Sequence, residues 1–556
     1  MEKSKYSWLV ILLVIGLAFA MLVSCGPATQ PDDPDDVDDP DDVDEPDEPA
    51  EPTEPVRVTV AQNFGVNSWD PPQDWATVQE WTTQNAYDYL FVRSQDGAEW
   101  VPELAYDWER IDELTVRFWI HDNVRFHDGT QLTAEDIKFH YRRIIDGTRD
   151  QYIVVDQYQW IDEIVIHDDF TFDVVSKEPD SLFFYKLAQG NTGAGIVSKA
   201  YFEEVGMEGV HRWPMGSGPW VLEDWARDEY IKFVANEDYW RDPPGYDELV
   251  FRVIPEASTR VAELIAGDAD LAYMVMPADE ARVEAAEGVR PVWSKTARGF
   301  QLWPRLGVHE DYVGEPELDR EFTTEDPRIR EAIERAIDKY GIRDLGGGEG
   351  EAFRARMFQP LPEAHPDLYG PEANLYDPDR ARELIAEAGY GPGEARLVFH
   401  AANTWPQEDV ARAIGDMLEE VGFDVDLRIL DDSTFNSEVY WPRKTQELIL
   451  LLLGGQMNPF FGTLSYEPSR YEGTGYGGIG TAPEGMGELL EIAWTEVSDD
   501  ERRIQAYHDL SMLAAEHRMN IGLFQESVLW GMRDRIEYTP RVPDSDIWGY
   551  DIKVVE

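Results

Sequence analysis

Residues 56–61 alternate as Val-Arg-Val-Thr-Val-Ala, a period of two that predicts a half-buried strand. A polar loop over 62–72 follows, carrying Asn67, Ser68, Trp69 and Asp70. The run Leu114 to His121 predicts another strand, and Asp128-Gly129 a hairpin-type turn. In Thr133-Ala-Glu-Asp136 a hydroxyl and a carboxylate stand three residues apart, as a capping box requires, ahead of a helix holding Ile137 and Tyr141. A second cluster runs from Gly216, through Ile231 to Asn236, to Trp240; strand-like Leu249 to Ile254 then leads into a helix over Thr259 to Ala266, then an apolar strand, Leu271 to Val275. Beyond Phe300 the pattern changes to helices alternating with strands. Asp326-Pro327 opens a helix with Ile329, Ala332, Ile333, Ala336 and Ile337 on its apolar face. Asp377-Pro378 opens a second, with Ala381, Leu384, Ile385 and Ala388 inward and Gly389 closing it. A third, Pro406 to Val421, feeds the alternating strand Phe423 to Ile429. This alternation predicts an α/β lobe.

The first 25 residues are patterned differently. Lys3 and Lys5 precede an apolar run, Trp8 to Ala20, as in a signal peptide. Leu22-Val-Ser-Cys25 then resembles a bacterial lipobox, and Cys25 is the only cysteine in the chain. The expectation is a lipid-carrying Cys25 at the extracytoplasmic face of a membrane. From Pro31 to Pro55 the chain is nearly all Pro, Asp and Glu, with fourteen acidic residues. Such a segment buries too little apolar surface to offset its ordering entropy, so residues 26–55 are expected to be a disordered tether.

The remaining residues, about 500, exceed what one small core can hold, which predicts two or three lobes. No later apolar stretch is longer than the strand-sized Leu448 to Leu453, so the body is expected to be soluble. Net charge is −63, of which −50 falls on residues 56–556. That surface repels nucleic acid and anionic lipid. Lysine is scarce, 11 against 37 arginines, and acid excess with few lysines resembles a salt-adapted surface.

Six segments, in order, resemble family 5 of the extracellular solute-binding proteins, the dipeptide-, oligopeptide- and nickel-binding components of ABC importers. They are Pro102 to Glu109; Val124 to Phe139, with Phe-His-Asp-Gly and Thr-Ala-Glu-Asp; Gly216 to Trp240; Thr259 to Leu271; Asp326 to Lys339; and Tyr376 to Tyr390. The resemblance implies an α/β, two-lobed, type II-like binding-protein clamp with an extra subdomain inserted in lobe one. On that plan residues 56–90, 194–298 and 520–556 form lobe one, 91–193 the insertion and 299–519 lobe two. It also implies capture of an oligopeptide or peptide-like solute, delivery to ABC permease subunits with their ATPase, and a monomer touching the membrane through its lipid alone. His127, Gly216 and Gly218 are read as turn and backbone residues, and Trp240 as packing lobe one.

Peptide-binding members often carry Trp-x-x-Asp-Tyr-x-Asp-Pro, whose first aspartate pairs with the peptide α-amine. Here the stretch reads Leu452-Leu-Gly-Gly-Gln-Met-Asn-Pro459, with Gly455 where that acid would stand. A buried ammonium without a counter-charge is costly, so α-amine recognition of the usual kind is not expected. Gly454, Gly455, Gln456 and Asn458 offer neutral donors and acceptors instead, and Asn67, Trp69, Trp303, Trp405 and Trp441 complete the candidate ligand-binding set. The tryptophans would suit a sugar face or an apolar side chain, so an oligosaccharide is the alternative solute. No catalytic, metal or cofactor residues are expected: His-Glu-x-x-His, Gly-x-Ser-x-Gly and Cys-x-x-Cys are absent, and the ten histidines are scattered. A two-acid hydrolase or a solute sensor stays open as another class. Gly473-Thr-Gly-Tyr-Gly-Gly478 fits Gly-x-Gly-x-x-Gly in form only, and is read as a loop.

Overall fold

The computed structural model describes residues 54–73, 81–95, 100–152, 154–188, 193–306, 322–346, 350–355, 368–440, 447–453, 483–541 and 547–555. Cys25, Trp441, Gly454, Gly455, Gln456, Asn458, the tether through residue 53 and the 473–478 loop lie outside them. The strands that build the framework are, in chain order, β1 (Arg57–Gln62), β2 (Ala105–Arg110), β3 (Thr115–Ile120), β4 (Ile161–Asp168) and β5 (Thr171–Ser176). There follow β6 (Trp220–Ala226), β7 (Tyr230–Ala235), β8 (Glu248–Val253), β9 (Leu271–Ala272) and β10 (Val289–Pro304). The last are β11 (Ala395–Ala402), β12 (Phe423–Leu430), β13 (Leu448–Leu453) and β14 (Ile521–Arg533).

Ten of these strands make one sheet, in the order β12-β11-β13-β10-β14-β9-β1-β8-β7-β6. At one end β1 lies between β8 and β9 and is parallel to both. At the other, β11 is parallel to β12 and β13. Between the two parallel sets runs the long antiparallel pair β10–β14, from Val289↔Arg533 to Leu302↔Ile521, with its register shifting between Lys295 and Gln301. The molecule is thus a two-lobed α/β clamp whose lobes share two crossing strands.

Each lobe has its own core. Val58, Val60, Trp220, Phe233, Phe251 and Trp530 fill lobe one. Phe300, Ile329, Ile333, Leu397, Phe399, Ile414 and Leu450 fill lobe two. A third core, with Phe118, Ile137, Tyr141, Phe172 and Val174, sits between a four-stranded antiparallel sheet (β2-β3-β5-β4) and helix α1 (Ala134–Ile145). The predicted half-burial of the first strand is corrected: from Val58 to Gln62 every residue of β1 is buried, because parallel partners flank it on both sides.

Local signals end the helices as the sequence predicts. The Thr133/Asp136 capping box forms at α1. Helix α2 spans Ala257–Ala266, starting two residues earlier than predicted, and closes on Gly267 at φ 90°. The strand predicted over 271–275 keeps only Leu271 and Ala272 in the sheet; Met274, at φ 51°, turns the chain out of extended geometry. In lobe two, α3 (Pro327–Ala336) is capped by Asp326 and α4 (Pro378–Glu387) by Asp377, each accepting from a backbone N–H of the first turn. The longer of the other lobe-two helices among the described residues are α5 (Gln407–Glu420), α6 (Met486–Thr495) and α7 (Asp500–His517). No helix among the described residues is long and apolar enough to cross a membrane.

Candidate functional site

Strand direction locates the site. β9 pairs antiparallel with β14 as Leu271↔Met532, and just beyond it the Val275 N–H donates to the Leu529 carbonyl at 2.8 Å. The carboxyl ends of β9, β1 and β8 therefore all point along β14 toward residues 525–529. In lobe two, β13 pairs antiparallel with β10 from Pro304↔Leu448 to Gly299↔Leu453, so its carboxyl end is level with Gly299. β11 and β12 run parallel to β13 and end on the same side. Two sets of strand carboxyl ends thus converge from opposite lobes on the level where β10 and β14 cross. In open α/β sheets that is where ligands bind, because the loops there are free of the ladder and are held by rigid strands.

The crossing strands have a polar floor at this level. Their register shifts between Lys295 and Gly299 and again before Gln301, which breaks the regular ladder. Side chains take over the pairing. Arg298 Nε lies 2.6 Å from Glu526 Oε2, the Thr296 hydroxyl donates to the Glu526 carbonyl at 3.2 Å, and the Gln525 amide donates to the Thr296 carbonyl. The Tyr369 hydroxyl donates to Gln525 Oε1 at 2.7 Å. Glycine is needed beside this floor: a Cβ at Gly522 would lie 2.3 Å from the Phe353 ring, and one at Gly350 would lie 1.5 Å from the Gln525 carbonyl oxygen.

The lobe-one wall follows β1. The Gln62 amide donates to the Phe64 carbonyl (2.9 Å) and to the Thr82 hydroxyl (3.1 Å), anchoring the loop after the strand. Phe64, Trp81 and Tyr273 meet edge to face, with centroids 5.5–5.9 Å apart. Asn67 is exposed in that loop, and its carbonyl accepts from Arg227 at 2.7 Å.

Two of the expected tryptophans are not in the cleft. Trp69 is fully buried in the lobe-one core, edge-on to Trp225 and Phe233 at 5.7 and 5.8 Å. Its loop is polar in sequence, but β6 and β7 cover the indole. Trp303 is also buried; it packs with Ile449, Leu451 and Trp494, and its indole N–H donates to Gln301 Oε1 at 3.2 Å. Trp405 differs: half-buried, it lies directly after the carboxyl end of β11, at cleft level.

His127 is a turn residue. Its backbone N–H donates to the Gly216 carbonyl (2.9 Å), and Nε2 lies 3.0 Å from the Gly218 carbonyl, so that nitrogen carries the hydrogen. Burial holds the imidazole pKa down at about 4, which keeps the ring neutral. A Cβ at Gly216 would stand 2.0 Å from the Ala86 carbonyl oxygen, which accounts for that glycine. The expected lobe-one packing of Trp240 is corrected: it packs against the core of the four-stranded subdomain and donates its N–H to Asp88 at 2.9 Å.

Sequence reading missed the floor group Thr296, Arg298, Tyr369, Gln525 and Glu526. No local pattern could have found it, since Thr296 and Glu526 are 230 positions apart. Among the described residues no group of His, Cys, Asp and Glu is placed to hold a metal ion.

Residues 99–473 match the model of the bacterial extracellular solute-binding proteins, family 5 middle region. Heme-binding protein A of Haemophilus influenzae is 27% identical over 343 residues, which is 56% of this chain and 58% of that protein. The glutathione-binding protein GsiB of Pectobacterium atrosepticum is 27% identical over 377 residues, 65% of this chain and 68% of the relative. In structure, the oligopeptide-binding protein AppA of Bacillus subtilis, in complex with a nonapeptide, superposes with a TM-score of 0.70 at 20% identity, covering 90% of this chain and all of AppA. With the family model matched over more than half its length, and with the clamp and its converging strand ends in place, this chain belongs to family 5 of the bacterial extracellular solute-binding proteins.

Proposed function

We propose that this protein captures an oligopeptide or peptide-like solute between its lobes and delivers it to the permease of an ABC importer, tethered outside the cytoplasm by lipid on Cys25. The observation that carries the reading is the convergence of two sets of strand carboxyl ends on the irregular crossing of β10 and β14. A solute held there touches both lobes at once, so it favours the closed form by its differential contacts. Similarity to relatives named for glutathione and to a structure holding a nonapeptide supports a peptide-like solute. The burial of Trp69 and Trp303 removes two of the stacking surfaces that an oligosaccharide would use.

With Gly455 where the family's amine-pairing acid stands, the proposed solute does not depend on a free α-amine. A panel of di- to hexapeptides, N-acetylated peptides, oligosaccharides and nickel complexes, read by thermal shift, tests this. A solute that binds only the folded clamp stabilises it by about 2.7 kcal/mol at a hundredfold excess over Kd. Peptides are expected to raise Tm and to keep doing so when acetylated. A shift that vanishes on acetylation overturns the amine-independent reading, and turnover of any panel member points to a hydrolase. For the anchor, Cys25→Ala is expected to release the protein from membranes; a variant that still sediments with them shows that the apolar N-terminus holds it.

A further inference from the structure

The four-stranded subdomain grips lobe two as well as lobe one. Its attachment to lobe one is polar and buried: Asp88, at the base of the subdomain, accepts from Ser217, Tyr239 and Trp240 at 2.8–2.9 Å. The Ile196 N–H, where the chain leaves the subdomain, donates to the Asp88 carbonyl at 3.1 Å. These bonds fix the subdomain to lobe one. Yet the turn Asp180-Ser181-Leu182 reaches across to the C-terminus of α6 in lobe two. There the Ser181 N–H donates to the Trp494 carbonyl at 2.8 Å, and the Ser181 hydroxyl donates to the Ala493 carbonyl. A helix leaves its last carbonyls without partners of its own, so Ser181 fills a need of α6 from outside lobe two.

The apolar contact is equally one-directional. Leu182 is 2% exposed and lies in a cluster whose other buried members all come from residues 303–519. Tyr185 packs against the same cluster and takes the edge of Trp100 at 4.9 Å. The turn is held rigid for this contact. Asp180 Oδ1 accepts from the Leu182 N–H at 2.8 Å, its other oxygen pairs with Lys186, and the Lys186 ammonium lies 5.2 Å from the centre of the Trp160 ring. A crevice of about 270 Å³ remains beside the contact, lined by Gln157, Trp160, Asp180, Leu182, Trp494 and Thr495. The contact borders open volume, which fits a contact made and broken as a unit.

We propose that Asp180-Ser181-Leu182 is a latch that the subdomain sets on the end of α6 when the clamp closes, and that must release before the lobes part. The proposal rests on the clamp reading above and adds its regulation: the latch sets how often the cleft is open to solute. Closing buries Leu182 and satisfies the Ala493 and Trp494 carbonyls, whereas opening exposes all three to water at once.

Hydrogen exchange on the full chain without added solute tests it, comparing the natural protein with Ser181→Ala and Leu182→Asp. Leu182→Asp is expected to speed exchange about tenfold at the Ser181 amide, in the last turn of α6 and along residues 295–301 and 522–529 of the crossing strands. Ser181→Ala, which keeps the apolar contact, is expected to do so about threefold. Helix α1, in the subdomain core, should keep its natural protection in both. Unchanged exchange at the crossing strands in both variants overturns the latch. Should Leu182→Asp also loosen α1, Ser181→Ala decides alone: faster exchange at the crossing strands with α1 protected supports the latch, and exchange confined to residues 180–188 overturns it. Because no solute is present, failure of the peptide panel leaves this result standing. A flat exchange result beside a positive panel overturns only the latch.

Discussion

Trp69 and Trp405 sit in loops of similar polarity, yet one is core and the other is half-buried just beyond the carboxyl end of β11. Trp69→Ala is expected to destabilise lobe one by about 3–5 kcal/mol, the cost of emptying a buried aromatic site. Trp405→Ala should change stability far less and reduce the solute-induced shift; thermal melts with and without peptide separate the two. Burial also sets charge. Asp88 and Glu103 are fully buried together, and desolvation raises both, Glu103 to about 8 with a further push from the Asp88 charge. An unfolded Glu103 gives up its proton near 4.5, while the folded one keeps it to about 8, so across that window the folded state binds more protons. Its contribution to stability is complete below the lower value and is lost as pH rises through the upper one. Glu103→Gln, which keeps an acceptor for the Tyr89 N–H, should flatten that slope and raise stability at pH 8 by on the order of 1 kcal/mol, read from denaturant melts at pH 5 and 8.

Caps and register do the work of the elements. Asp326 both accepts the Arg328 N–H at 2.9 Å and pairs with the Arg328 guanidinium, at the start of the helix that lays Ile329 and Ile333 into the lobe-two core. Asp326→Ala is expected to cost about 1 kcal/mol, visible as a lower denaturant midpoint with an unchanged m-value. β10 and β14 behave differently along their lengths: regular ladder inside each lobe, shifted register between Lys295 and Gln301. Any bending of the pair is expected where side chains such as Arg298 and Glu526 replace backbone pairs, since those contacts can re-form at another angle while a ladder cannot.

For the whole molecule, charge dominates. With −50 on residues 56–556, like-charge repulsion opposes compactness, and it is screened as the Debye length falls from about 10 Å at 0.1 M salt to about 3 Å at 1 M. Tm is expected to rise between dilute buffer and molar KCl; a flat or falling Tm removes the salt-adaptation argument. Many acids already have partners, as in Arg143 with Asp70 and Arg535 with Asp270, so the salt response should come from the unpaired exposed carboxylates.

Sequence alone determined whatever depends on neighbours within a turn or two: the Thr133/Asp136 box, the Asp326 and Asp377 caps, the Asp128-Gly129 turn and the burial face of α3. It also carried the family, because six short segments keep their order along the chain. Tertiary structure decided which residues meet. Trp69 became core because β6 and β7 cover it and Trp303 because β13 and helix α6 do, and Thr296 found Glu526 only because β10 and β14 cross. Asp88 and Glu103 became weak acids through burial that no local pattern encodes. Ser181 reached Ala493 across 312 positions, a pairing set by how two bodies dock. Capping and turn energies are local and are written in local spacing, whereas burial and docking are sums over the whole fold.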